Sequence, residues 1–262
     1  MNVTPKYALV TGASSGIGWH IARELAARSY SIVAVSNQAE QLKELKSELE
    51  RDFSINVEAF YCDLSESDAA ESVFDFCQKN KFQVTVLVNN AGLFTYGEVA
   101  GTDLQKVKSI LGLHTTTPVM LCRLFGAEMA KNHYGYILNV SSISAVMPYP
   151  TISLYGPTKT FLRKFTRALR FEMKEMGVKV LCLIPGATET ALYDTENLKL
   201  VKRLGIMKRP ELVARAGINA LFKNRAECTP GFLNKLVIHL MPLIPGGLIG
   251  LIYKWQNRRN SR

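Results

Sequence analysis

"LVTGASSGIGWHIA", Leu9 to Ala22, is the stretch on which the fold turns. It leaves an apolar run, passes through Gly12, Gly16 and Gly18, and enters a segment with helical periodicity. Glycines between a strand and a helix let the backbone turn tightly and approach a ligand. The first N–H groups of the helix, together with its dipole, then face an anion such as a pyrophosphate. A merely tight turn would not need three glycines.

Outward from this turn, short runs rich in branched or aromatic residues occupy 7–10, 32–35, 57–61, 84–88, 136–140 and 178–184. Between them lie helical patterns such as "IARELAARS", "QLKELKSELERDF" and "FLRKFTRALRFEMKEMG". This alternation predicts an α/β fold, a Rossmann-type doubly wound parallel sheet with helices on both faces. No repeat or linker interrupts residues 1–228, which we read as one domain followed by an apolar, basic C-terminal extension, 229–262. A chain of 262 residues, 47% apolar and 21% charged, suits one large globular domain. Its five cysteines include no CxxC pair, so neither a disulfide framework nor a metal site is expected, and reduced thiols suit a cytoplasmic protein. The opening "MNVTPKYALVTG" lacks the apolar core of a signal peptide.

Two further segments fall at strand ends, where open parallel sheets bind ligands. "LVNNAG" ends the fourth run and carries Asn90, Ala91 and Gly92 to the same crevice as the glycine turn. Asp63 and Leu64, in "YCDLS", follow the third run; the aspartate either meets a ligand or caps the next helix.

With these segments the chain resembles the short-chain dehydrogenase/reductase family over residues 6–190. The resemblance rests on TGxxxGIG at 11–18, NNAG at 89–92, NVSS at 139–142, Tyr155-x3-Lys159 and PGATET at 185–190. It implies a nicotinamide dinucleotide held by Thr11, Gly12, Ser14, Ser15, Gly16, Ile17 and Gly18. Ser36, Asn37, Asp63 and Leu64 would lie on the adenosine side, and Asn90, Ala91 and Gly92 along the crevice. Pro185, Gly186, Thr188 and Thr190 would lie near the nicotinamide, with Thr190 at its carboxamide. A small-molecule carbonyl or alcohol would be the substrate.

"SLYGPTKTF", 153–161, carries the implied chemistry. A tyrosine and a lysine four apart share a face only on a helix, yet Gly156 and Pro157 stand between them. A helix starting just before Tyr155 resolves this, because proline is tolerated in a first turn whose N–H groups lack intrahelical partners. An unperturbed phenol has a pKa of about 10. An adjacent ammonium favours the phenolate and lowers that value. The resemblance makes Tyr155 the acid/base, makes Lys159 its partner and a ribose ligand, and gives Ser142 the substrate oxygen. Ser141 should point to the opposite face. Many family members carry an asparagine where the alignment puts His114. Two readings stay open: a histidine that organises a water or titrates, and one that only fills the helix.

Relatives preferring NAD(H) commonly end the second strand with an acidic residue, whereas "VAVSNQ" offers Ser36 and Asn37, which favours NADP(H) and carbonyl reduction. A lid of Leu192, Tyr193, Leu198, Leu200, Leu204, Ile206 and Met207 would cover the pocket, to which Val146, Met147, Tyr149 and Ile152 add apolar surface. Lys199, Lys202, Arg203, Lys208 and Arg209 border it. An apolar carbonyl with an anionic head fits, such as a 3-oxoacyl thioester or a steroid-like ketone. The alternative is a catalytically idle dinucleotide-sensing protein, which would have no need of Ser142, Tyr155 and Lys159.

The seventh strand and Gly-Gly ending of many family members are not found. Residues 199–262 hold 13 Lys/Arg against two Glu, an excess that points to an anionic partner. No nucleic-acid motif accompanies it. Pro242, Pro245, Gly246 and Gly247 divide the apolar C-terminal stretch into pieces too short to span a bilayer. Three fates are open: a peripheral membrane contact with Lys254, Trp255, Arg258 and Arg259 at headgroup level, a subunit contact in a homo-oligomer, or completion of the lid.

Overall fold

Strands apolar on both faces need helices on both, and that requirement organises the molecule. The computed structural model describes residues 5–189 and 207–260. In chain order the elements are β1 (Lys6–Thr11), α1 (Gly16–Ala26), β2 (Ser31–Ser36), α2 (Ala39–Phe53), β3 (Val57–Tyr61), α3 (Ala69–Lys79) and β4 (Gln83–Asn89). Then come α4 (Leu104–Leu111), a π turn (Gly112–Thr116), α5 (Thr117–Lys131), β5 (Gly135–Val140), α6 (Tyr155–Lys174) and β6 (Val178–Leu183). The described chain ends with α7 (Pro210–Phe222), β7 (Glu227–Cys228), α8 (Phe232–Leu240) and α9 (Gly246–Asn260).

The sheet is parallel throughout, in the order β3-β2-β1-β4-β5-β6-β7. Side chains of a strand alternate between faces, and the two cores follow that alternation. Ala8, Val10, Ile32 and Ala34 join α1, α2 and α7 on one side. Tyr7, Leu9, Val33 and Val35 join α3, α5 and α6 on the other. The chain adds β2 and β3 to one side of β1 and then returns to add β4 on the other. The resulting crevice opens at the carboxyl ends of β1 and β4, where Val10 pairs with Val88 and Gly12 comes beside Asn90.

The structure corrects one expectation: a seventh strand is present. β7 pairs with Cys182 and Leu183 of β6 over two residues only. Arg163 of α6 fixes it through a two-armed contact with the Glu227 carboxylate, at 3.0 and 2.9 Å. A strand this short leaves no period in the sequence.

A buried polar chain ties β4 and β5 to the helix that carries the tyrosine. The Asn89 amide donates to Asn139 Oδ1 (2.8 Å), and the Asn139 amide donates to Thr166 Oγ1 of α6 (2.9 Å). Breaking either bond would leave a buried amide N–H group unpaired, so this chain favours one register between sheet and helix.

Candidate active site

The crevice is a cavity of about 550 Å³ that runs from the end of β2 past the glycine turn to the start of α6. Gly12 enters the turn at φ +62°, and a β-carbon there would lie 2.8 Å from Ala91 Cα. Only glycine allows the two strand ends to approach this closely. Ser15, the residue before α1, makes no side-chain cap, and the first turn of α1 holds no acid. The helix therefore offers uncapped N–H groups to the cavity, as a phosphate cradle requires.

Thr11 and Gly18 stand behind the cavity wall. The Thr11 hydroxyl donates to Val88 O (3.1 Å) and accepts from the N–H groups of Asn90 (2.9 Å) and Ala91 (3.1 Å), bracing the second turn against the first. Gly18 packs on the Gly12 carbonyl. Ser14, Ser15, Gly16, Ile17, Asn90, Ala91 and Gly92 line the cavity itself.

At the end of β2, where the resemblance puts the adenosine, Ser36 is buried and its Oγ lies 2.8 Å from Ser14 Oγ, whereas Asn37 is exposed beside it. Asp63 accepts the backbone N–H of Ser65 (2.9 Å) and the Ser65 hydroxyl (2.8 Å). These bonds, the backbone one foremost, hold its carboxyl below the usual range. Asp63 thus shapes the turn after β3 and, with Leu64, walls the cavity, while Asp68 stands at the start of α3.

At the other end, α6 begins at Tyr155 with Leu154 before it, so Gly156 and Pro157 fall in its first turn. Tyr155 and Lys159 share the buried face of that helix, and the ammonium lies 5.8 Å from the phenol ring centroid. Lys159 donates to Val140 O (3.1 Å), and burial pulls its pKa down to about 8. The two serines after β5 divide their work. Ser141 Oγ donates to Lys159 O (2.8 Å), tying strand to helix. Ser142 Oγ accepts the N–H of Ser144 (3.1 Å), which leaves its own proton for another acceptor. Ser142, Tyr155, Lys159, Pro185, Gly186 and Thr188 all line the cavity. Thr190 and the lid positions Leu192, Tyr193, Leu198, Leu200, Leu204 and Ile206, with Lys199, Lys202 and Arg203, lie outside the described residues. Met207 is buried.

His114 does not line the cavity; it sits one layer behind, in the π turn, fully buried. Nε2 accepts the N–H of Leu93 (3.1 Å), so in the neutral ring the proton is on Nδ1, which lies 3.1 Å from Thr158 Oγ1. Thr158 Oγ1 in turn donates to Tyr155 O (2.8 Å). Burial, reinforced by the Lys159 charge, holds the imidazole well below its ordinary pKa. The ring is neutral and joins the NNAG turn to the first turn of α6.

Sequence reading missed two residues here. Phe94 meets the Tyr155 ring edge-on at 5.1 Å. Asn234 of α8 is buried against Gly186, where a β-carbon would come within 2.4 Å of its amide. Phe94 stands two residues beyond a motif that was read, while nothing local marks Asn234.

The fit to a nicotinamide dinucleotide is good on these observations: an uncapped helix start, glycine-permitted close approach, and one cavity joining that start to a hydroxyl, a phenol and a buried lysine.

Comparison with known proteins agrees. The family model described as short chain dehydrogenase matches residues 6–200. The very-long-chain 3-oxoacyl-CoA reductase-A of Danio rerio is 31% identical over 222 residues, 82% of this chain and 67% of that protein. The human 17-beta-hydroxysteroid dehydrogenase type 3 is 29% identical over 202 residues, 76% of this chain and 64% of its own length. The chain thus spans about two thirds of these relatives. Among solved structures, the fold matches a short-chain dehydrogenase from Sphingobium yanoikuyae in complex with NADPH, at TM-score 0.79 and 23% identity over 98% of this chain and 96% of that one. It also matches a 7beta-hydroxysteroid dehydrogenase at TM-score 0.83 and 24% identity over 90% and 91%. By motif, geometry and family match, the chain belongs to the short-chain dehydrogenase family of oxidoreductases.

Proposed function

We propose that this oxidoreductase uses NADP(H) to reduce the carbonyl of an apolar, acyl-type substrate to an alcohol. The observation that carries the reading is the opening of Ser142, Tyr155 and Lys159 onto the same cavity as the glycine turn. The bound nicotinamide would supply the hydride. Ser142, with its oxygen already engaged by Ser144 N–H, donates a hydrogen bond to the substrate oxygen and steadies the charge that develops there. Tyr155 delivers the proton to that oxygen, and Lys159 stabilises the phenolate left behind while offering N–H groups to the ribose. His114 is a positioning residue in this scheme: its ring is neutral, with Nε2 on Leu93 N–H and Nδ1 toward Thr158.

NADP(H) is favoured by the end of β2, where Ser36, Asn37 and Gln38 bring no carboxylate to repel a 2′-phosphate. The start of α2 is also without a side-chain cap, and the one acid of its first turn, Glu40, is paired with Lys43. An apolar carbonyl is supported by Phe94 at the phenol ring, and is in keeping with the names of the reductase and steroid dehydrogenase relatives. The five unpaired cysteines fit a reducing, cytoplasmic setting.

Titration with NADPH and NADH by cofactor fluorescence, followed by turnover on 3-oxoacyl thioesters and steroid ketones, tests the reading. Tyr155→Phe should lower turnover by about a hundredfold or more while sparing cofactor binding. Wild-type turnover in that variant would sink the catalytic assignment. Binding without turnover on any carbonyl would favour a sensor.

A further inference from the structure

The C-terminal helices have two unlike faces. Inward, Asn234 of α8 packs on Gly186, and Ile238 joins Cys182, Ile184, Ile143 and Val146. Farther on, Tyr253 of α9 meets the Tyr149 ring (centroids 6.1 Å apart) and donates to Glu98 Oε1 (3.4 Å). Both loops it touches flank the active site: one leads from Ser142 to Tyr155, and the other carries Phe94.

Outward, α8 presents Phe232, Leu236 and Leu240, spaced by four and so stacked on one side of the helix. Leu243 in the turn and Leu248 and Leu251 on α9 are exposed as well, with Phe232 80% and Leu243 75% exposed. Large apolar side chains exposed in a row along a helix mark an interaction site. From 229 to 262 the sequence holds five Lys/Arg, namely Lys235, Lys254, Arg258, Arg259 and Arg262, and no Asp or Glu. No helix among the described residues is long and apolar enough to cross a membrane.

We propose that α8, the turn and α9 form a docking face that lies flat on an anionic lipid bilayer, with the leucines and Phe232 in the interface and the exposed Lys235 and Lys254 at the phosphates. Charge decides against a second copy. A contact between two copies of residues 229–262 would bring together segments that each carry five Lys/Arg and no acid. A bilayer carrying acidic headgroups supplies the missing anions. Because α9 braces the loops beside Tyr155, docking brings the cavity mouth to the lipid surface, where an apolar substrate would partition.

Co-sedimentation of the full chain with phosphatidylcholine vesicles, with and without phosphatidylglycerol, tests this, alongside sedimentation equilibrium without lipid. The expected result is binding to acidic vesicles at least about tenfold tighter than to neutral ones, and weaker at high salt. Leu236→Glu with Leu240→Glu should cut that binding at least about tenfold. Both sites are exposed, so dinucleotide titration of the same variant should match wild type and report an intact fold. Lys235→Glu with Lys254→Glu should reduce binding to acidic vesicles and leave any binding to neutral ones unchanged. Equal binding to both vesicle types, no binding, or binding indifferent to the leucine variants would overturn the proposal. So would a dimer that the leucine variants dissociate, in a protein that ignores vesicles. Vesicle binding is read without turnover, so its failure leaves the reductase assignment standing, and the reverse holds too.

Discussion

At the scale of residues, burial displaces the titrating groups of the site from the pKa values that water would give them. Lys159 is buried, and its pKa of about 8 replaces the ordinary 10.5, so keeping it charged at neutral pH costs roughly 3 kcal/mol. The native protein therefore binds fewer protons than the unfolded chain between pH 8 and 10.5, and the cost is fully present below that window. Wild-type stability should rise relative to Lys159→Met by about 2–3 kcal/mol between pH 7 and pH 10, as followed by urea denaturation. A gap independent of pH would mean that the lysine is solvated. His114 differs because it is kept neutral. His114→Leu leaves the Leu93 N–H without its acceptor and should destabilise the fold by about 1–3 kcal/mol. His114→Asn should recover much of that loss, with a pH–rate profile of wild-type shape. An acidic limb present in wild type and absent from His114→Asn would instead make the imidazole a titrating group.

At the scale of elements, the glycine turn and the start of α6 were legible because each packs its signal into a few consecutive residues. The strand–turn–helix grammar around Gly12, and Pro157 in a first turn, need no tertiary knowledge. The unread parts depend on contacts between distant segments. β7 exists because Glu227 reaches Arg163, 64 residues earlier, and Asn234 matters because α8 folds back onto Gly186. His114 was found by alignment, but its place behind the cavity wall depends on the π turn, which rotates the ring toward Leu93 and Thr158. The Asn234 contact makes its own prediction. Gly186→Ala should push either the Pro185–Gly186 turn or α8 outward and weaken dinucleotide binding about tenfold, read by fluorescence titration. Gly186→Ala with Asn234→Ala should recover part of the loss, since the smaller side chain admits the added methyl. A double variant no better than the single one would show that α8 is not what demands a glycine.

At the scale of the whole molecule, the doubly wound order puts the two parts of the cavity on opposite sides of β1. One wall comes from the ends of β2 and β3, and the wall with Ser142, Tyr155 and Lys159 from the side of β4, β5 and β6. A dinucleotide spanning the crevice would therefore link the halves of the sheet, and its binding would add to the stability of the folded state as a whole. At a hundred times its dissociation constant, NADPH should contribute about 2.7 kcal/mol. For a domain of this size that corresponds to a rise in Tm of very roughly 5–10 °C. NADH at the same concentration should give a smaller rise, because it lacks the phosphate that the carboxylate-free end of β2 leaves room for. Replacing Asn37 by Asp should reverse the order, since the new charge repels the 2′-phosphate and accepts hydrogen bonds from the ribose hydroxyls. Scanning calorimetry of both proteins with both cofactors decides the matter: equal shifts in the wild type would remove the preference for NADP(H). An unchanged order in the variant would move its cause away from β2.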